Sequence, residues 1–207
     1  MNTGTIPHAH FFIILGRSGA GKGTQSKLLK ESLEKIESSK KVLYVQSGEE
    51  IRTFIHGKGF TEKLAEDIYN TGALQPEFLA VHLWSKVLIE KYNGIDHIIF
   101  DGAPRKRHET GVLESAISFY KLEKPFVINL TISNQESIKR LLSRQRMDDN
   151  EEEIRKRLAW YETDVLPTLE YYRTSENYRY LEINGERTIE EIHKDILMKT
   201  GLDLITS

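Results

Sequence analysis

The chain of 207 residues contains no cysteine. That excludes disulfides and thiolate metal sites, and it suits a reducing cytosol. Neither sign of charge dominates. Lys and Arg total 29 against 31 Asp and Glu, a net charge of -2. Nothing therefore favours nonspecific binding to nucleic acid or to an anionic membrane surface. Long apolar runs are also missing. The first run, Phe11-Phe12-Ile13-Ile14-Leu15, is five residues long and ends in glycine. It is too short for a membrane span or a secretory core, and Met1 to His10 does not read as a signal peptide. No internal repeat or low-complexity stretch occurs, and the length fits one domain with a core of its own. The expectation is a cytoplasmic protein with neither nucleic-acid nor membrane partners.

What the chain does have is a glycine-rich loop in a telling place. Gly16-Arg17-Ser18-Gly19-Ala20-Gly21-Lys22-Gly23-Thr24-Gln25 follows the apolar run and precedes a helical pattern. Glycines let successive backbone N–H groups turn inward as an anion cradle. The helix N-terminus behind them adds partial positive charge. Lys22 can then reach the outer phosphates of a nucleoside triphosphate. Gly23 stands where Ser or Thr is usual in such loops, which leaves Thr24 as the magnesium-side hydroxyl. An unliganded glycine turn is disfavoured because strand, turn, Lys and helix occur in register.

Apolar segments alternate with helical ones. Strands are expected at 11–15, 42–45, 97–100, 126–132 and 178–183. Helices are expected at 22–33, 47–57, 61–71, 76–92, 109–120, 134–144, 149–172 (broken near Pro167) and 188–200. Five such strands predict an α/β fold with a five-stranded parallel sheet wrapped by helices. Ligands of these sheets bind beyond the strands' carboxyl ends, and every motif falls at such an end.

Asp101-Gly102-Ala103-Pro104-Arg105 closes the third strand. An Asp there is costly to bury unless it meets a cation. It reads as a magnesium-side carboxylate, the bland alternative being a turn Asp. Ser47-Gly48-Glu49-Glu50-Ile51-Arg52 follows the second strand. By local pattern Ser47 caps a helix and Glu50 completes a capping box; the functional reading adds Arg52 as a phosphate ligand. Arg140, Arg144, Arg146 and Arg157 flank Asp148-Asp149-Asn150. A solvated face would explain Lys139, Arg155 and Lys156. Guanidinium groups, however, are the preferred bidentate partners of phosphate oxygens.

Four motifs in this order resemble the adenylate kinase family of nucleoside monophosphate kinases: Gly16–Gln25, Ser47–Arg52, Gly72–Pro76 with Asp101–Arg105, and Arg144–Arg157. The resemblance spans Phe11 to about Ile192. It implies a P-loop core (1–46, 76–143 and 158–207), a small helical acceptor-binding insert (47–75) and a very short lid (144–157). It implies that Gly19, Ala20, Gly21, Lys22, Gly23, Thr24 and Arg140 bind ATP. Ser47, Gly48, Arg52, Leu74, Gln75, Gly102, Arg105 and Glu109 would bind the monophosphate. Lys22, Arg105, Arg144, Arg146 and Arg157 would act on the transferring phosphoryl. Thr24 and Asp101 would hold Mg2+ through water. The lid has no ligands for zinc. Small nucleotides as partners and a monomeric state complete what the family implies.

Ser18 and Ala103 replace a common Pro and an aromatic of the family. A third departure bears on substrate. Glu109, eight residues after Asp101, stands where the family's usual Gln reads the acceptor base. The family implies reversible transfer of the γ-phosphoryl group of Mg-ATP to a nucleoside monophosphate, with AMP the first expectation; an ionised carboxylate can only accept hydrogen bonds, which makes GMP or another monophosphate the alternative acceptor. More distant alternatives are a P-loop kinase of another small metabolite and a nucleotide-binding switch.

Overall fold

The structure is a computed structural model, and it describes residues 9–144 and 151–205. β1 (Phe11–Gly16) leads through the loop into α1 (Lys22–Ile36), then β2 (Val42–Gln46), α2 (Ser47–Phe54), α3 (Phe60–Asn70) and α4 (Glu77–Lys91). β3 (His97–Asp101), α5 (Arg107–Phe119), β4 (Phe126–Thr131) and α6 (Asn134–Arg144) follow. The chain ends with α7 (Glu151–Trp160), a π-helical turn (Tyr161–Val165), α8 (Leu166–Thr174), β5 (Arg179–Asn184), α9 (Ile189–Thr200) and a 3-10 turn (Asp203–Ile205).

The five strands are parallel in the order β2-β3-β1-β4-β5. The chain runs outward from β1 to β2, returns to β3, then continues to β4 and β5 on the other side of β1. The topological switch therefore lies at the carboxyl end of β1, where the glycine loop begins. Side chains of β1 alternate between two apolar layers. Phe11, Ile13 and Leu15 pack with Trp84, Val87, Leu88, Leu113 and Leu169. Phe12 and Ile14 pack with Leu29, Leu33, Ile192 and Ile196. With both faces covered, every residue of β1 is buried, as an all-apolar strand of a parallel sheet requires.

Two local expectations change. The break placed near Pro167 falls earlier, in the π turn Tyr161–Val165, where the Leu166 N–H reaches back to the Tyr161 carbonyl. Pro167 cannot donate to the turn before it, and the widened turn absorbs that missing bond upstream of the proline. Ser47 does not cap α2. Gln46 is the cap residue and no side chain caps it. The Ser47 hydroxyl instead lies 2.8 Å from the Gly102 carbonyl and 3.0 Å from that of Asp101. A reciprocal capping box does form at α9, between Thr188 and Glu191.

At the sheet's opposite end His97 is wholly buried. Its Nδ1 accepts from the His10 backbone N–H at 3.0 Å, its ring stacks on His10, and Nε2 sits 2.8 Å from Glu37, which pairs with Lys40. Burial lowers the His97 pKa to about 4, against the attraction of Glu37. The folded state thus keeps His97 neutral, while the unfolded chain protonates it near 6.5. Stability from this site is complete above pH 6.5 and is lost as pH falls from there toward 4, by roughly 3 kcal/mol at 1.36 per unit. Urea denaturation at pH 7.5, 6 and 5 should show that decline, and His97→Asn should flatten it. Equal slopes in variant and wild type would contradict it.

Candidate active site

The loop after β1 is shaped by what surrounds it. Gly16 has φ +143, and a Cβ there would stand 2.4 Å from the Leu130 carbonyl oxygen on β4. No other residue fits at the strand end. Ala20 is buried beneath the loop. The Lys22 ammonium lies across the loop, donating to the carbonyls of Gly16 and Arg17 at 2.9 Å each. Arg17 pairs with Glu162 at 2.6 Å and lies over the Tyr161 ring, which ties the loop to the π turn.

Asp101 closes β3 next to the start of α1. Its Oδ2 accepts from the Tyr44 hydroxyl at 2.9 Å and lies 3.4 Å from the position a Gly23 Cβ would take. Burial and the Asp101 charge both push the Tyr44 pKa up, so Tyr44 stays a donor. The carboxylate and the exposed Thr24 hydroxyl are hard oxygen donors at one helix start. They fit a magnesium ion that keeps several waters and takes few protein ligands. Among the described residues no cluster of three or more His, Cys, Asp or Glu could hold a metal by itself.

The segment after β3 is held in detail. Gly102 has φ +75, and a Cβ there would meet Ser47 Oγ at 3.2 Å and Arg105 Nη2 at 3.0 Å. The Ala103–Pro104 peptide is cis. Arg105 donates through Nε to the Gly102 carbonyl at 2.6 Å and through Nη2 to Ser47 Oγ at 3.2 Å. Its guanidinium lies 5.5 Å from the centre of the Trp160 ring. Its carbonyl accepts from Thr168, and its N–H donates to Glu109 Oε2 at 3.0 Å. Burial lowers the Arg105 pKa, opposed by Glu109 and Asp101. Glu109, itself buried, is pushed up by burial and pulled down by the Arg105 N–H and charge.

An open cleft of about 1750 Å³ gathers most of the candidates. Gly19, Gly21, Lys22, Gly23 and Thr24 line one side; Gly48, Arg52, Leu74, Gln75, Asp101, Arg105, Arg140 and Arg157 line the rest. Ser47, Gly102 and Glu109 line an adjoining pocket, with Ile51, Leu74, Gln75 and Arg105 shared between the two. Arg52 pairs with Glu49 at 2.6 Å, Arg140 with Glu136 at 2.6 Å, and Arg157 with Glu153 at 3.7 Å. Arg146 and the side chain of Arg144 lie outside the described residues. Sequence reasoning missed Tyr44, Trp160 and Thr168. Trp160 donates to the Gly72 carbonyl at 3.1 Å and lines the cleft.

Fold and cleft together define a P-loop phosphotransferase: a parallel sheet whose first strand ends in an anion cradle, faced by guanidinium groups from several elements. The adenylate kinase family model matches residues 14–177. Similar proteins include an adenylate kinase of Azobacteroides pseudotrichonymphae, 33% identical over 194 residues that cover 90% of this chain and 94% of that one. An adenylate kinase of Corynebacterium urealyticum is 30% identical, covering 89% and 96%. Adenylate kinase 1 of a Nostoc species is 32% identical, covering 91% and 97%. The chain belongs to the adenylate kinase family. It is an enzyme of phosphoryl transfer to nucleoside monophosphates. No helix among the described residues is long and apolar enough to cross a membrane.

Proposed function

We propose that the protein catalyses reversible transfer of the γ-phosphoryl group of Mg-ATP to AMP, giving two ADP. One observation carries this reading. Arg52 of α2, Arg105 before α5, Arg140 of α6 and Arg157 of α7 line the same cleft as Lys22. Cations drawn from four places fit a reaction that spreads charge over a moving phosphoryl group. A protein that only bound or sensed a nucleotide would not need them. The relatives' name, adenylate kinase, supports AMP as the acceptor.

In this reading Lys22 and Gly19–Thr24 hold the donor phosphates, and Arg140 lies against the donor base. Ser47, Gly48 and Arg52 face the acceptor nucleotide, Leu74 and Gln75 form its floor, and Arg105 clamps its phosphate. Arg157, with Arg144 and Arg146, closes on the transferring group. Thr24 and Asp101 would hold magnesium through water, and the ion would supply charge neutralisation at the donor phosphates. Residues 47–75 serve as the acceptor insert and 144–157 as a short lid on the remaining core, in a monomer. No covalent intermediate and no general base is needed, because positioning and charge stabilisation supply the catalysis. Exclusion of water keeps ATP from hydrolysis.

Turnover of Mg-ATP with AMP, GMP, CMP and UMP in parallel tests the acceptor. AMP should give the highest kcat/KM; a higher value with GMP would reassign it. Glu109 is the observation favouring GMP, since guanine offers N–H donors to a carboxylate. Its Oε2 is already committed to the Arg105 N–H. Glu109→Gln can keep that bond through its amide oxygen while adding a donor suited to adenine N1. The AMP-to-GMP ratio of kcat/KM should rise about 5- to 150-fold, the equivalent of about 1–3 kcal/mol for an unmade buried hydrogen bond. An unchanged ratio would leave Glu109 only the placing of Arg105.

A further inference from the structure

The pocket beside Arg105 and Ser47 has a mostly apolar wall, with Ile51, Leu74 and Leu83 in it. Among the described residues, two of those that line it carry a buried polar atom without a partner. Gln75 is buried, its Nε2 donating at 2.9 Å to the Ala65 carbonyl. Its Oε1 meets no donor among the described residues. The amide cannot be turned round, because Oε1 would then face the Ala65 oxygen, acceptor against acceptor. An acceptor is therefore fixed at this point. Trp84 is also buried, and its indole N–H meets no acceptor among the described residues. Packing alone would be served as well by apolar residues at both places. Buried polar groups without partners are uncommon and call for an explanation.

We propose that Gln75 determines acceptor specificity by accepting an N–H from the exocyclic amino group of the acceptor base, with the Trp84 N–H donating to a ring nitrogen. The inference rests on the acceptor pocket assigned above. Adenine supplies both complements, an amino group and bare ring nitrogens. Uracil has no amino group and leaves the Gln75 oxygen unpaired.

The test compares AMP with purine riboside 5′-monophosphate, the same nucleotide without its 6-amino group, in wild type, Gln75→Met and Gln75→Asn. Thermal melting checks the fold of each. Wild type should favour AMP by about tenfold or more in kcat/KM, because a site built to bond a group rejects the analogue lacking it. Gln75→Met should nearly level the two by weakening AMP alone, with the KM for ATP unchanged. Gln75→Asn, which withdraws the amide by one methylene, should do the same and serves if the Met variant does not fold. The proposal is overturned if wild type treats the two nucleotides alike, or if folded variants keep the full preference. If AMP is refused but GMP is accepted, GMP against IMP replaces the first pair. A levelling there upholds Gln75 while the AMP reading fails. If no nucleoside monophosphate is accepted, both fail.

Discussion

Lys22→Met lowers the rate of phosphoryl transfer by about 100-fold or more and leaves the fold in place. The ammonium bridges the carbonyls of Gly16 and Arg17 at the lip of the cleft. Removing it forfeits at least these two half-buried hydrogen bonds, each worth on the order of 1 kcal/mol net. The transition state loses a preorganised cation where charge develops, and one such contact typically carries about 100- to 1,000-fold in rate. Steady-state turnover together with a urea midpoint checks both halves. Near-normal turnover in a folded variant would remove Lys22 from the reaction.

The second large effect is expected at Arg105. Arg105→Met should reduce kcat/KM for the acceptor by about 100- to 1,000-fold while the KM for ATP changes little. Its neighbours hold the guanidinium before any substrate arrives. Ser47 and the Gly102 carbonyl fix two of its N–H positions, while Glu109 and Thr168 fix its backbone. Burial disfavours the charge, so a phosphate that meets it replaces solvation already given up. Arg105→Lys should recover only part of the loss, because an ammonium keeps the charge but not the planar fork. Full activity in the Lys variant would mean that charge alone matters. A large rise in the KM for ATP instead would place Arg105 on the donor side.

Much of this architecture was readable in the residue pattern, for identifiable reasons. Strands covered on both faces must be apolar along their length, so β1, β3 and β4 declared themselves. The glycine loop carries its own conformational requirement. Bonds between distant segments were not readable. Ser47 matched a capping box three residues ahead of Glu50, yet its hydroxyl went to carbonyls more than fifty positions away. Tyr44 looked like an ordinary strand residue; its role appears only when β2 and β3 pair and bring it to Asp101. Pro167 marked a helix break correctly in kind, but the missing donor is absorbed upstream. Glu109 was legible as a departure from the family, whereas its bond to the Arg105 N–H was not. Gln75 was expected at the acceptor site. The unpaired side-chain oxygen emerges only once Ala65 is seen to take the other end of the amide.

The central claim, reversible transfer between two nucleotides in one cleft, is tested most directly with ADP alone. The protein is mixed with ADP and magnesium, with no other substrate, and the products are separated by anion exchange. The account predicts ATP and AMP in equal amounts, approaching an equilibrium that added AMP drives back, and no such conversion by Lys22→Met. ADP left unchanged, or AMP and inorganic phosphate formed without ATP, would contradict it.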